Sequence, residues 1–337
     1  MTCRPLSREY VAYAVLCGLF FSSSLAGGQT RSGVDETDRL PDLQGVWNFS
    51  TATPMQRPED LADRVLLSPE ETAQYEREIA DRRRAGDSTS DSASLEARVS
   101  YEQAIWFERG DRLTASRTSL VVDPPDGRIP EVTEDAEQRA ALRRESRGRH
   151  AWGPEDRGIS ERCLMGFNSG PPMTPSAYNN NMQLFQTGNT IAIVNEMVHN
   201  VRVIPLDSRS HLPSGLRQWV GDSRAYWEGE TLAIDTTNFL GETSLNGSSA
   251  NLHLVERFTL VDRDTLLYDF TVTDPTTWSH PWTAQVEMTR SDYPLHEYAC
   301  HEGNYSMASS LRGARILEKE EAEGKAAEGK AIDPESR

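Results

Sequence analysis

The strongest constraint on the fold is an alternation of apolar and polar residues through much of the chain after residue 189. A period of two puts successive side chains on opposite faces of a β-strand. Turn residues such as Gly188, Asn189 and Gly229 separate the alternating segments, and short links favour antiparallel neighbours. The pattern predicts a mainly β fold, α+β overall, with an antiparallel β-meander or barrel. The predicted strands are residues 190–194, 201–206, 231–237, 253–261, 265–273 and 282–288.

A helix- and loop-rich segment precedes these strands. Ser68 is a helix N-cap with Pro69 at the first helical position and Glu71 three residues later, which predicts a helix to about residue 84. A second helix is expected from Thr133 to about residue 144. The predicted organisation is a segment at 27–162 that packs on the barrel, a barrel domain at 163–310 and a charged tail at 311–337. Strands do not alternate with crossover helices, which disfavours Rossmann and P-loop folds.

The first 26 residues have the pattern of a secretory signal peptide. Arg4 and Arg8 form a basic start, residues 11–21 are mostly apolar, and small residues end at Ala26. The apolar run is shorter than the roughly 20 residues that span a bilayer. We therefore expect an exported protein, periplasmic or extracellular after cleavage, without membrane insertion.

Removal of the signal peptide would leave two cysteines, Cys163 and Cys300. An even pair in an oxidising compartment predicts a disulfide that ties the barrel domain. The alternative is a thiolate that binds a metal or acts as a nucleophile.

The chain is acidic, with 52 Asp and Glu against 35 Lys and Arg and a formal net charge of -17. This negative net charge disfavours nucleic acid and anionic membranes as partners, and it favours solubility outside the cell. A small-molecule ligand is the expected partner, and the sequence gives no oligomeric state.

Two carboxylates on predicted strands are candidates for acid and base chemistry. Glu256 lies on the face of Leu254 and Phe258, and Asp235 shares a face with Ala233. A carboxylate on an apolar face must be paired, protonated or placed in a cavity. In a barrel the inward face can line a ligand cavity, where such groups act as acids or bases. The alternative is a structural salt bridge to a nearby arginine.

Histidines and arginines near these strands could complete such a site. His199 and His253 are the candidate proton partners, and Arg202 and Arg257 are candidate clamps for an anionic ligand. No zinc-protease helix motif and no nucleophile-elbow sequence appear in the chain. The predicted chemistry therefore uses no cofactor.

Neutral polar and aromatic residues provide candidate ligand contacts. The loop at 167–183 combines a diproline with Tyr178 and Asn180, while Trp227 and Trp282 lie on or beside strands. Such side chains suit a sugar, a polyol or an aromatic acid. Asn-rich loops are equally good turns, which is the structural alternative.

A cluster near the end of the strand series could bind a divalent metal. His296 and His301 lie beside Glu297 and Glu302. The alternative is a group of ordinary exposed or hydrogen-bonded histidines, and the main prediction is that the chain has no metal site.

Two resemblances accompany these patterns. The segment at 42–47, the Trp227 turn and the segment at 255–258 are similar to a broad group of uncharacterised exported bacterial proteins, over most of the chain. Gly45, Val46 and Trp47 also resemble the Gly-x-Trp opening of lipocalins, whose barrels bind small apolar or amphipathic ligands. More than a hundred residues separate this motif from the main strand series, so no lipocalin site residue transfers to this chain.

The leading hypothesis is an exported β-barrel protein that processes a small polar or aromatic organic molecule by hydrolysis, elimination or isomerisation. A non-catalytic ligand carrier is the first alternative. A metal-dependent hydrolase that uses His296 and His301 is the second.

Overall fold

The computed structural model describes residues 40–89, 108–207, 209–243, 245 and 247–331. The predicted signal peptide lies outside these residues. The described residues from Pro41 onward belong to one compact unit.

An antiparallel sheet dominates the described residues, which confirms the predicted fold class. Its strands are β1 Gly45–Asn48, β2 Val121–Asp123, β3 Asn181–Gln186, β4 Thr190–Asn195, β5 Val201–Pro205, β6 Asp222–Glu228, β7 Thr231–Thr237, β8 His253–Leu260, β9 Thr265–Thr273 and β10 Trp282–Ser291.

The sheet is not a closed barrel. Its strand order is β5-β4-β3-β1-β10-β9-β8-β7-β6, and β2 pairs with β10 beside this path. The two end strands, β5 and β6, lie next to each other, but no hydrogen-bonded ladder joins them within the described part of the chain. The sheet therefore curls until its edges meet at an open seam.

Strands β1, β3 and β6 were not predicted from the sequence. The Asn-rich loop was expected to reach residue 183, but β3 begins at Asn181 and pairs with β1 at Asn48. The segment before Cys163 supplies β1, which lies between β3 and β10, as well as β2. These strands are short or rich in polar residues, so their pairing depends on neighbours far away in the chain.

The inward side chains form a continuous core rather than an open cavity. On β8, β9 and β10, alternate residues such as Phe258, Tyr268, Phe270 and Val286 are fully buried and belong to one apolar cluster. Each large buried side chain contributes roughly 1.5–3 kcal/mol relative to exposure. The expectation that the inward face lines a ligand cavity is therefore wrong for these strands.

Three helices complete the described residues: α1 Pro69–Thr89, α2 Glu134–Gly148 and α3 Tyr305–Ala331. The predicted capping box of α1 is confirmed, since Ser68 N donates to Glu71 Oε2 at 2.8 Å and Glu71 N donates to Ser68 Oγ at 3.3 Å. The second predicted helix is also present, and Thr133 caps it, since Ala136 N donates to Thr133 Oγ1 at 3.2 Å. Of the described helices, none has the length and apolar character needed to cross a bilayer.

The predicted disulfide joins Cys163 to Cys300 across 137 residues. Because both sulfurs are bonded to each other, the alternative of a thiolate ligand or nucleophile is wrong. In the chain-entropy model, closing so long a loop stabilises the fold by at most about 5 kcal/mol. The bond fixes the segment after β10 to the loop that precedes β3.

Candidate functional site

The structure divides the two candidate carboxylates between opposite faces of the sheet. On neighbouring strands β7 and β8, Ile234 pairs with Glu256 and Asp235 pairs with Val255. Side chains of directly paired residues lie on the same face, and adjacent residues alternate. Glu256 therefore points into the core with Ile234, whereas Asp235 points outward. The expectation that both line one inward cavity is wrong.

Glu256 belongs to an interior ionic cluster. Arg202 of β5 donates to it through two bonds, Nη1 to Oε2 at 2.5 Å and Nη2 to Oε1 at 2.9 Å. Tyr268 Oη donates to Glu256 Oε1 at 2.8 Å and accepts a bond from Met173 N at 3.1 Å. The side chains of the arginine and the glutamate are 2% and 0% exposed. This is the salt-bridge geometry that was the structural alternative for Glu256.

The tyrosine of this cluster is held in its protonated form. Burial raises the pKa of Tyr268 well above its usual value, and the nearby Glu256 carboxylate raises it further. A neutral hydroxyl can donate to the carboxylate, so Glu256 is fully engaged and has no contact with solvent.

The outward face of β6, β7 and β8 carries a second cluster, here called the outer cluster: His253, Asp235, His211, Asp222 and Arg224. Asp235 bridges the two imidazoles, with Oδ2 2.7 Å from His253 Nε2 and Oδ1 2.8 Å from His211 Nε2. The other nitrogen of His211, Nδ1, lies 3.0 Å from Asp222 Oδ2. Arg224 Nη1 donates to Asp222 Oδ1 at 2.7 Å. In this continuous chain, imidazole and guanidinium groups alternate with carboxylates.

Electrostatics keep both outer carboxylates ionised. Burial alone would raise the pKa of Asp235, but hydrogen bonds from His253 and His211 bring it below its usual value. For Asp222, burial is likewise outweighed by the backbone N–H of Leu212 and by the bonds from His211 and Arg224, so its pKa is lowered. In return, the hydrogen bond to Asp235 raises the pKa of His253, against a smaller effect of burial.

His211 is the central residue of the outer cluster and was not among the predicted site residues. Each of its ring nitrogens lies within hydrogen-bond distance of a carboxylate oxygen, Nδ1 of Asp222 and Nε2 of Asp235. The loop that carries it is held to the sheet by bonds from Leu212 N to Asp222 Oδ2 at 2.8 Å and from Asn238 Nδ2 to Leu212 O at 2.8 Å. Asp222 and Arg224 were also missed, because they lie on β6, a strand that the sequence did not predict.

The outer cluster is partly accessible. The side chains of His253, Asp235 and His211 are 44%, 26% and 27% exposed. His253 Nε2 is used by Asp235, and within the described residues its Nδ1 has no hydrogen-bond partner. Thr273 is paired with His253 on β9. A polar molecule can therefore approach a histidine whose orientation is already fixed.

The other predicted histidine and the loop residues lie elsewhere. His199 Nε2 accepts a bond from Tyr298 N at 3.1 Å. Asn180 is buried and bonds within its own loop, since its Oδ1 accepts from Ser176 N at 2.8 Å. Tyr178 packs edge-on against Phe167, with ring centroids 5.4 Å apart. The structure does not bring these residues to the outer cluster.

The remaining predicted ligand contacts are also separate. Trp282 is buried in the core against Phe270 and Trp278. Trp227 is partly buried and packs on the same core. Arg257 pairs with Glu228 through bonds of 2.8 and 3.2 Å.

The metal alternative finds no support in the structure. His296 donates its backbone N–H to Glu196 Oε1 at 3.1 Å. Within residues 40–89 and 108–331, apart from the positions left undescribed, no three His, Cys, Asp or Glu side chains are arranged to hold a metal ion, and this includes His296 and His301.

Comparisons with known proteins add little to this geometry. No protein-family model matches the chain, and no curated protein is significantly similar. A structure of an asparagine-to-alanine variant of the fluorescent protein UnaG is 12% identical, covers 40% of this chain and 88% of that chain, and has a TM-score of 0.22. At that score the likeness carries no conclusion about fold or function. The resemblance to exported bacterial proteins stays a prediction.

Proposed function

We propose that the outer cluster is a cofactor-free acid–base site for a small polar organic molecule, with His253 as the group that exchanges a proton. One observation supports this most strongly: the Asp235 carboxylate holds Nε2 of His253 at 2.7 Å, and Nδ1 is left without a partner among the described residues. A carboxylate that fixes one imidazole nitrogen orients the other for proton transfer.

The chemistry follows from the hydrogen bonds. With Nε2–H donated to Asp235, neutral His253 presents the Nδ1 lone pair to an acidic C–H or O–H of the bound molecule. When Nδ1 takes that proton, the imidazolium is stabilised by the same carboxylate, and it can return the proton to a leaving group or to a second carbon. Hydrolysis, elimination and isomerisation all use such a step.

His211 and Asp222 have a supporting role in this proposal. The hydrogen bonds from His253 and His211 favour the ionised form of Asp235. Arg224 and His211 do the same for Asp222. This network keeps a negative charge beside His253 as it becomes positive.

The proposal places the small molecule on the outer face of β7–β9 and not inside the sheet, because the inward side chains are packed against each other. Arg257 shares that outer face with His253, four residues along β8 and therefore about 13 Å away. It stays a candidate clamp for the distal part of an anionic molecule. Glu256 is proposed to be structural.

Ring opening of 5-nitrobenzisoxazole tests the base directly, since removal of one C–H proton breaks the N–O bond and releases a coloured phenolate. We expect His253→Gln to lower the rate by at least roughly 10-fold. His280→Gln is the matched control, because His280 is an exposed histidine whose Nδ1 lies 3.0 Å from the neighbouring Ser279 hydroxyl. Equal rates for the wild type and His253→Gln, across pH 5 to 9, would contradict the proposal.

We also propose that the protein is exported. The Cys163–Cys300 disulfide and the predicted signal peptide support this location. Cell fractionation with mass measurement of the mature protein should find an oxidised chain that begins at Gly27. A cytoplasmic, uncleaved protein would contradict it.

A further inference from the structure

Two buried polar side chains on β4 and β5 are incompletely hydrogen bonded. Asn195 is 1% exposed, and neither its Oδ1 nor its Nδ2 has a partner within the described residues. Arg202 uses Nη1 and Nη2 for Glu256, but its buried Nε also has no partner there. A buried polar group that is left unpaired is destabilising, so native structures almost always satisfy such groups.

The strand register brings these two side chains to the same place. Ile193 pairs directly with Arg202, and Asn195 follows two residues later on the same inward face of β4. The bond from Asn195 N to Asn200 O, at 2.8 Å, continues the β4–β5 pairing to that point. Arg202 and Asn195 are therefore diagonal neighbours, at a typical spacing of about 7–8 Å between Cα atoms. One small molecule can contact both.

We propose that a buried water molecule binds between Asn195 and Arg202 inside the sheet. The bound group must accept the Nε–H of Arg202, accept from Asn195 Nδ2 and donate to Asn195 Oδ1, so it needs lone pairs and an O–H. Buried waters typically make about three hydrogen bonds. The neighbours Met182, Ile193 and Ile204 are fully buried, so the bound group would be enclosed by the core.

This site has a role in the interior ionic cluster. A bond to Nε fixes the plane of the Arg202 guanidinium, and that plane determines whether both Nη groups can reach Glu256. The water therefore positions the ion pair that links β5, at the open seam, to β8.

Whether Asn195→Leu raises or lowers Tm tests the proposal. Leu has nearly the shape of Asn without its polar atoms. If water satisfies the amide, Asn195→Leu removes three hydrogen bonds and should lower Tm by roughly 3–8 °C. If the amide is unpaired, the same variant removes a cost and Tm rises, which overturns the proposal. Asn251→Leu, at an exposed asparagine, is the control and should leave Tm nearly unchanged.

A crystal structure of the wild-type protein provides a test that does not depend on a variant. Density for one water within hydrogen-bond distance of Arg202 Nε and the Asn195 amide is expected. A direct bond between these side chains, or no density there, overturns the proposal. Native mass spectrometry should show no added mass, and a retained organic molecule at this position would overturn the assignment to water.

Discussion

The interior ionic cluster and the outer cluster each centre on a carboxylate, and the two carboxylates lie on neighbouring strands. Glu256 of β8 and Asp235 of β7 belong to adjacent rungs of one ladder. Yet the glutamate is 0% exposed and paired with an arginine, whereas the aspartate is 26% exposed and shared by two histidines. The difference of one residue in register decides which side of the sheet each carboxylate faces.

This comparison separates the structural ion pair from the chemically available one. An enclosed pair must remain complete, because an uncompensated buried charge is costly. A half-exposed pair can gain or lose a proton without unfolding the protein, and only such a pair can exchange protons with a second molecule. The four predictions below test this separation, beginning with the largest expected effect.

Glu256→Gln should be strongly destabilising. It leaves the Arg202 charge buried without a counter-ion, at an expected cost of about 3–5 kcal/mol in the free energy of unfolding. Urea denaturation monitored by tryptophan fluorescence measures this loss. The ring-opening rate per folded molecule should stay within about 2-fold of the wild type.

A matched double variant sharpens this result. Arg202→Met with Glu256→Leu removes both charges together, and such replacements are often neutral or stabilising. We expect it to recover most of the stability lost in Glu256→Gln. If Glu256→Gln instead folds normally and loses the activity, Glu256 is catalytic and the division between the two clusters is wrong.

Asp235→Asn should have a smaller effect on stability and a clear effect on His253. Because the bond to Asp235 raises the pKa of His253, the amide should let that pKa fall towards about 6.5. NMR titration of the His253 ring protons measures the change, and the ring-opening pH profile should move in the same direction. The expected loss of stability is about 1–2 kcal/mol. An unchanged His253 titration would contradict the observed hydrogen bond.

Stability should fall on both sides of neutrality because of the outer cluster. The lowered pKa values of Asp235 and Asp222 contribute stability above about pH 3.9. This stability is lost as the pH falls through the pKa values of the two carboxylates in the folded protein. The raised pKa of His253 contributes stability below about pH 6.5. This stability is lost as the pH rises through the pKa of His253 in the folded protein. Tm measured from pH 3 to 9 should show both limbs. His253→Gln should flatten the alkaline limb and also weaken the acid one, because the His253 hydrogen bond lowers the pKa of Asp235.

The sequence predicts the face on which Glu256 lies better than the face on which Asp235 lies. Glu256 lies midway between the large apolar residues Leu254 and Phe258, two positions from each, so its inward position follows from theirs. Asp235 follows three consecutive apolar residues, Leu232, Ala233 and Ile234, and all three are buried. Without an alternation of apolar and polar residues, the sequence does not show which face of the sheet Asp235 lies on. The face of Asp235 is therefore settled only by its pairing with β6 and β8.

The outer cluster could not be assembled from sequence for a further reason. His211 lies in a loop whose Ser, Pro and Gly residues indicate only turns. Its two carboxylate partners come from β6 and β7, and β6 itself carries too many polar residues to be recognised as a strand. By contrast, the α1 capping box and the disulfide depend on local spacing or on a cysteine pair, and both were predicted.

Arg257→Ala should have the smallest effect. Arg257 and Glu228 are 37% and 40% exposed, and exposed pairs of this kind contribute at most about 0.5–1 kcal/mol. Because Arg257 lies on the outer face but outside the outer cluster, its loss should leave the His253 titration unchanged. Urea denaturation and the same NMR titration measure both quantities. A shift of the His253 pKa in this variant would mean that the acid–base site extends along β8 as far as Arg257.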